Sequence, residues 1–363
     1  MTPKPERLRR VAGSANAASL AAIIVAPSPD LVYLTGYDPM ALERPSLLIV
    51  RPDRPAVLLV PELERRLAED AIGDAVEIIG WTDAHDPYAV AAGLLPPDGS
   101  VGIGDRIWGV HVLALQRAVP DARFISAAPV LGALRARKDP DELAALRRAA
   151  RGADEAFRAI CSRRFLGRRE EEVAADLAEL LVRNGHTRAD FTIVGSGPNS
   201  ASPHHEPSGR TILPRDVVVM DFGGVLGGYY SDTTRTVVVG EPPKDFEHVY
   251  GIVQEAQEAA CDAAGPGVAA HDVDRAARTV IDRAGFGERF FHRTGHGIGL
   301  EVHEPPYIIA GNPTLLEPGM TFSVEPGIYL EGQFGVRIED IVVITEEGAD
   351  RLNRSTRELR TVD

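Results

Sequence analysis

Four carboxylates and a group of histidines are the residues of this chain whose types and spacing could do chemistry. The apolar run from Asp216 to Asp221 (DVVVMD) ends in a carboxylate, and after Gly223, Gly224, Gly227 and Gly228 a second strand-like run, Tyr229 to Val239, carries Asp232. A hairpin centred between Leu226 and Gly227 sets Asp221 opposite Asp232, with Cβ atoms about 4.5–5.5 Å apart, where like charges repel. The pattern recurs where Glu325 ends an apolar run and Glu339 follows Arg337 on the next, so a hairpin centred on Gly332 opposes the two glutamates. Gly223 and Gly327 each follow the first carboxylate of a pair by two residues, a weak internal repeat. Taken singly, each acid reads as an ordinary surface or ion-paired carboxylate. Two opposed pairs among apolar neighbours do not, because buried charge must be paired or bind a metal.

The segment HRTGHGIGLEVHE places His292, His296 and His303 within twelve residues, with glycines at 295, 297 and 299. Glycine lets backbone approach a ligand closely. One histidine added to four carboxylates is a hard, oxygen-rich set suited to Mn²⁺ and adaptable to Co²⁺ or Zn²⁺. A zinc-helix reading of His303-Glu304 fails, since it needs a second histidine where Tyr307 stands, and Pro305-Pro306 would break the helix.

These residues need elements to hold them. From residue 1 to 134, strand-like runs (Leu20–Ala26, Ser46–Val50, Ala56–Val60, Val76–Ile79, Val101–Ile103, Arg123–Ile125) alternate with helical spacing at Glu62–Ile72, Tyr88–Leu95 and Val110–Val119. That alternation predicts an α/β domain with at least partly parallel pairing and no catalytic cluster. A second domain, 135–363, opens on a helix whose Asp139, Pro140 and Glu142 make a capping box. Further helices are predicted at Glu170–Asn184, about Asp245–Ala264 and His271–Ala284, with glycine-rich strands between and after them, so this half is α+β.

Composition narrows the class. With 39 Lys+Arg against 53 Asp+Glu, the net charge is −14, which argues against a surface that grips nucleic acid. Only Cys161 and Cys261 occur, so a disulfide framework is excluded and a reducing compartment fits. Lys4, Arg7, Arg9 and Arg10 superficially resemble the start of a signal peptide, but Gly13, Ser14, Asn16 and Ser19 interrupt the Ala-rich stretch after them. Leu20–Ala26 then reads as a strand ending in a loop at Pro27-Ser28-Pro29-Asp30. No segment approaches the ~18 apolar residues needed to span a bilayer.

Asp221, Asp232, His296, Glu325 and Glu339, in the motifs MDFGG, YYSDTTRT, GHGIGLEVHE, SVEPGIY and GVRIEDI, resemble the pita-bread-fold metallopeptidases of the Xaa-Pro dipeptidase (prolidase) and aminopeptidase P branch. The resemblance spans the chain, since Leu31–Tyr37 (LVYLTGY) looks like the creatinase-type N-terminal domain of that family. It implies two divalent metal ions: Asp221 and Asp232 bind one, His296 completes the other site, and Asp232, Glu325 and Glu339 bridge. It also implies Glu325 as proton acceptor, and His204, His292 and His303 as donors near the reacting centre. Arg337 is expected to hold an acidic ligand in place, Tyr329 to border the site, and His205 to be a surface residue.

The implied substrates are short proline-containing peptides, with Xaa-Pro dipeptides favoured over longer peptides cleaved by an aminopeptidase P. Many prolidases carry an arginine four residues beyond the histidine matching His303. Tyr307 stands there in this chain, leaving Arg337 or Arg44 to meet a substrate carboxylate. A metal-free creatinase-type enzyme lacks this ligand set. The non-enzyme alternative is a catalytically inactive binding protein of the same fold. A cytoplasmic homodimer is expected.

Overall fold

The computed structural model describes residues 5–363, so Lys4 lies outside the described residues. The chain divides into two compact units, Met1–Arg135 and Ala136–Asp363. In the first, the strands are β1 (Ala22–Val25), β2 (Leu47–Arg51), β3 (Arg54–Pro61), β4 (Glu77–Trp81), β5 (Gly99–Ile103) and β6 (Ala122–Ser126). The helices are α1 (Pro5–Ala17), α2 (Pro29–Thr35), α3 (Arg65–Ile72), α4 (Pro87–Leu94), α5 (Gly109–Ala118) and α6 (Ala128–Ala136). All six strands join one sheet in the order β4-β3-β2-β1-β5-β6, parallel at β3–β4, β1–β5 and β5–β6 and antiparallel elsewhere.

The loop expected at Pro27–Asp30 is the start of a helix. The Ser28 side chain caps α2 by accepting from Leu31 N, Pro29 occupies the first turn, and Gly36 closes the helix at φ 75°. At seven residues α2 is too short for its apolar period to stand out. Arg7, Arg9 and Arg10 sit on α1, where the Arg7 guanidinium stacks 4.1 Å over Tyr33 and donates to the Tyr33 carbonyl at 2.9 Å.

The second unit opens on α7 (Pro140–Ile160) and α8 (Glu170–Arg183), followed by β7 (Arg188–Ser196), β8 (Val217–Leu226), β9 (Tyr229–Val239), α9 (Phe246–Ala263) and α10 (Ala270–Arg283). Shorter strands follow: β10 (Gly295–Gly297), β11 (Glu304–Ile308), β12 (Thr321–Val324), β13 (Gly327–Leu330), β14 (Phe334–Arg337), β15 (Asp340–Ile344), β16 (Ala349–Arg351) and β17 (Arg360–Val362). The capping box at α7 is present in full: Asp139 accepts from Asp141 N and Glu142 N, and Glu142 returns to Asp139 N at 2.9 Å. One sheet runs β17-β9-β8-β7, a second β11-β10-β12-β15-β16, and β13–β14 form a separate ribbon.

Strand alternation decides which side of β8 carries chemistry. Val218, Met220 and Phe222 pack with Phe157, Leu177 and Leu181 of α7 and α8. Asp221 therefore falls on the opposite face. A second apolar cluster joins Val253 and Ile281 of α9 and α10 to Phe322, Val324 and Val342 of the second sheet. The helices thus cover apolar faces while the carboxylate-bearing faces meet.

Candidate metal centre

The β8–β9 hairpin turns one residue later than the sequence suggests, which shifts every cross-strand partner by two. Leu226 pairs with Tyr229 across Gly227 and Gly228, both at positive φ (63° and 87°), so Asp221 opposes Thr234 and Asp232 opposes Gly223. A shift of two residues preserves the face, because side chains alternate with period two. Asp221 and Asp232 are therefore diagonal neighbours on one face rather than a directly opposed pair. The second hairpin keeps the expected register about Gly332, but it is broken. Gly327 pairs with Arg337 in one ribbon and Val324 with Asp340 in the next, leaving Glu325 and Glu339 at the interruption.

Backbone contacts join these pieces. Glu339 N donates to Thr234 O at 3.1 Å, and Glu325 N to Thr294 O at 2.8 Å. His296 lies on β10 between Gly295 and Gly297. A Cβ at Gly295 would stand 1.8 Å from Ser323 O, and one at Gly297 2.3 Å from Pro305 O. Glycine on both sides is what lets neighbouring strands close around this histidine.

The five side chains converge. Ligand atoms of Asp221, Asp232 and Glu339 lie within 4.8 Å of one another, as do those of His296, Glu325 and Glu339, so two triads share Glu339. A third grouping, Asp232, His296 and His303, brings His303 into the same cluster. His296 Nδ1 faces Gly297 O at 3.2 Å, a contact that fixes the proton there and leaves Nε2 with its lone pair. That Nε2 sits 3.3 Å from Glu325 Oε1 and 3.6 Å from Asp232 Oδ2.

Electrostatics make the cluster unstable as bare protein. Burial, reinforced by the neighbouring carboxylates, pushes Asp232 and Glu339 well above the usual carboxylate range. Burial likewise pushes Glu325 up to about 7. Burial, with His303 beside it, holds His296 down at about 3, so its ring is neutral. Asp221 Oδ1 and Glu339 Oε1 are buried with no hydrogen-bond donor. An orphaned carboxylate oxygen is costly. Cations at the two triads would satisfy both atoms, so these residues fit divalent metal.

Arg337, 3% exposed, supplies the positive charge that facing carboxylates require. It donates to Asp221 Oδ2 at 2.6 Å, to Thr234 Oγ1 at 3.0 Å and to Tyr329 Oη at 3.1 Å. Tyr329 Oη in turn meets His292 Nε2 at 2.9 Å, while His292 Nδ1 faces Arg293 O at 2.8 Å. Burial, with Arg337 nearby, holds His292 down at about 4, so the ring is neutral, with Nδ1 donating and Nε2 accepting. Both of its nitrogens are engaged within the protein.

A cleft of about 680 Å³ opens onto the cluster. His204, His303 and Arg293 line it, and Phe191, Ile193, Phe291, Val302 and Ile309 give it apolar walls. Neither arginine expected to meet a substrate carboxylate is free: Arg337 is committed to Asp221, and Arg44 is bonded to Asp83 at 2.9 and 3.0 Å. Arg293 is the cation the sequence reading overlooked. Its guanidinium stacks 4.8 Å over the ring of Tyr307, the residue that departs from the prolidase pattern. Its position beside His292 was the available signal. His205 is not a surface residue, since its Nε2 meets Glu170 at 2.8 Å and its side chain is 18% exposed.

The metallopeptidase family M24 model matches residues 144–346, and a creatinase/prolidase N-terminal domain model matches residues 7–137. The chain belongs to metallopeptidase family M24. Among M24 relatives, an Xaa-Pro dipeptidase from Lactobacillus delbrueckii subsp. lactis is 37% identical over 92% of this chain and 93% of its own. The crystal structure of dipeptidase PepE from Mycobacterium ulcerans superposes with a TM-score of 0.94 at 42% identity, covering 98% of this chain and 97% of the other. That of a prolidase from Thermococcus sibiricus gives 0.93 at 37% identity, with 100% of each chain covered. The architecture is thus a creatinase-type N-terminal domain followed by the M24 pita-bread domain, and the family implies divalent metal at the cluster.

Proposed function

We propose that this chain hydrolyses the peptide bond of Xaa-Pro dipeptides, with two divalent cations, Mn²⁺ foremost, held by Asp221, Asp232, His296, Glu325 and Glu339. The observation that carries this reading is the pair of ligand triads sharing Glu339 at the floor of an apolar-walled cleft. Relatives named dipeptidase, Xaa-Pro dipeptidase and prolidase support the substrate class. When bound, such a pair of ions lowers the pKa of a shared water and polarises the scissile carbonyl.

The protein's own groups do the rest. Glu325, beside His296, is the carboxylate that accepts the attacking water's proton. His204 and His303, on the cleft wall, donate to the developing oxyanion or to the leaving proline nitrogen, a tertiary amide without hydrogen in the substrate. Arg337 holds Asp221, and His292 holds Tyr329, so these two act through their neighbours. Phe191, Ile193 and Val302 offer an apolar surface to the pyrrolidine ring. Arg293, the cleft-wall cation not committed to a carboxylate among the described residues, faces the free carboxylate of a dipeptide.

The test compares kcat/KM for an Xaa-Pro dipeptide, its amide and an Xaa-Pro-Yaa tripeptide. A tenfold preference for the dipeptide, about 1.4 kcal/mol of discrimination, is expected, and Arg293→Ala should erase it. Preference for the tripeptide would assign aminopeptidase P instead. Inactivity on all three with metal bound would move the scissile bond elsewhere, and absence of bound metal would leave an inactive binding protein. The reading also takes the protein to be a cytoplasmic homodimer acting on short peptides. Two unpaired cysteines suit a reducing compartment, and no helix among the described residues is long and apolar enough to cross a membrane.

A further inference from the structure

Glu170, the first residue of α8, is fully buried yet lies on the far side of the loop that carries His204. Its Oε1 accepts from Ser196 N and Oγ, both at 2.7 Å, and from Asn199 Nδ2 at 3.0 Å. Its Oε2 accepts from His205 Nε2 at 2.8 Å and from Ser208 Oγ and N at 2.6 and 3.2 Å. Donors from the end of β7, from the single turn Gly197–Ala201 and from the irregular stretch beyond it converge on one carboxylate. The same stretch presents Ser202, Pro203 and His204 to the cleft. It is tied to the metal-bearing hairpin by Gly335 N on Ser200 Oγ at 2.9 Å.

We propose that Glu170 and His205 form a positioning device for His204. His205 turns inward to Glu170 while its neighbour His204 faces the cleft, so the Glu170–His205 bond sets the direction of the backbone that aims the His204 ring. The loop has no strand or helix ladder, and beyond the Arg337 donation to Pro203 O at 3.4 Å and the turn bond from His205 N to Ser202 O at 3.2 Å, the Glu170–His205 bond is the side-chain tie that flanks His204 on its other side. Transition-state donation needs such a tie, since about 1 Å of displacement costs a hundredfold. Ser and backbone donors anchor the loop's ends. His205 anchors it one residue from the working side chain. The proposal rests on the reading of His204 as a donor to the reacting centre.

The test uses the Mn²⁺-loaded enzyme and an Xaa-Pro dipeptide. His205→Ala should lower kcat at least tenfold with KM changed less than threefold, and raise amide hydrogen exchange at 202–206 but not at 221–232. His205→Gln, which places an amide donor near the former Nε2, should recover kcat to within threefold of wild type. His204→Ala combined with His205→Ala should be no slower than His204→Ala alone. Should His205→Ala fail to fold, His205→Asn fills the space with a donor too short to reach and should show the same loss. Wild-type kcat in His205→Ala or His205→Asn, or losses that multiply in the double variant, would overturn the positioning role while leaving His204 as donor. Wild-type kcat in His204→Ala would overturn the reading of His204 and the proposal with it.

Discussion

Arg337 shows how much one side chain settles in this site. Three donors of a rigid guanidinium reach Asp221, Thr234 and Tyr329 at once, which a lysine ammonium on a flexible stem cannot reproduce. Arg337→Lys is therefore expected to fold but to lose about 10–100-fold in metal affinity or activity, the usual cost of removing a group that orients a ligand. Calorimetric metal titration and steady-state kinetics measure it. Asp232 stands closer to the chemistry: its carboxylate belongs to two of the ligand groupings and is 5% exposed. Asp232→Ala should abolish turnover and reduce bound metal by elemental analysis, and undiminished turnover in the metal-free variant would sink the metallopeptidase mechanism.

At the scale of elements, close approach between short strands carries the site. Gly295→Ala puts a Cβ 1.8 Å from the Ser323 carbonyl, a backbone atom that cannot swing aside. The β10–β12 contact must open, and His296 moves with it. A loss of more than about 2 kcal/mol is expected in denaturant unfolding, together with weaker metal binding. Helix α8 contributes through Glu170. Burial alone would raise its pKa, but hydrogen bonds from Ser208, Ser196 and His205 outweigh that and hold it at about 2. A carboxylate lowered in the folded state stabilises above its ordinary range near 4.5 and loses that contribution as pH falls toward 2. Wild type should thus lose more stability than Glu170→Gln between pH 5 and pH 2, measured by urea midpoints across that window.

Over the whole molecule, the bare metal centre is the weak point. Glu325, Asp232 and Glu339 all have raised pKa values when only protein surrounds them. Such groups stabilise below the ordinary carboxylate range, and the contribution disappears as pH rises through the folded value, about 7 for Glu325. Chelated protein should therefore become less stable between pH 5 and pH 7, whereas metal-loaded protein should not. Saturating Mn²⁺ at about a hundred times its Kd adds about 2.7 kcal/mol, an upward shift of about 5–10 °C in Tm for a unit of this size. Sedimentation of the intact chain tests the homodimer, and a fully active 39 kDa monomer would refute it.

Residue types and their order by themselves picked out the five side chains that the fold brings together, because two carboxylate pairs among apolar neighbours must be paired or bind a cation. They also determined the alternation of strands and helices in the N-terminal half and the capped start of α7, since caps and periodicity are local. They could not determine register. Moving the turn to Gly227-Gly228 changed which residue opposes Asp221, and only positive φ at both glycines, fixed by strand pairing, decides that. Nor could they reveal the partners of Arg337, Arg293 or Glu170. Arg337 meets Asp221 across 116 residues, Arg293 is placed by a ring that packing brings beneath it, and Glu170 draws its donors from the end of β7, the turn after it and the irregular stretch beyond. Such contacts depend on which faces of which elements meet, and no local pattern in the chain encodes that.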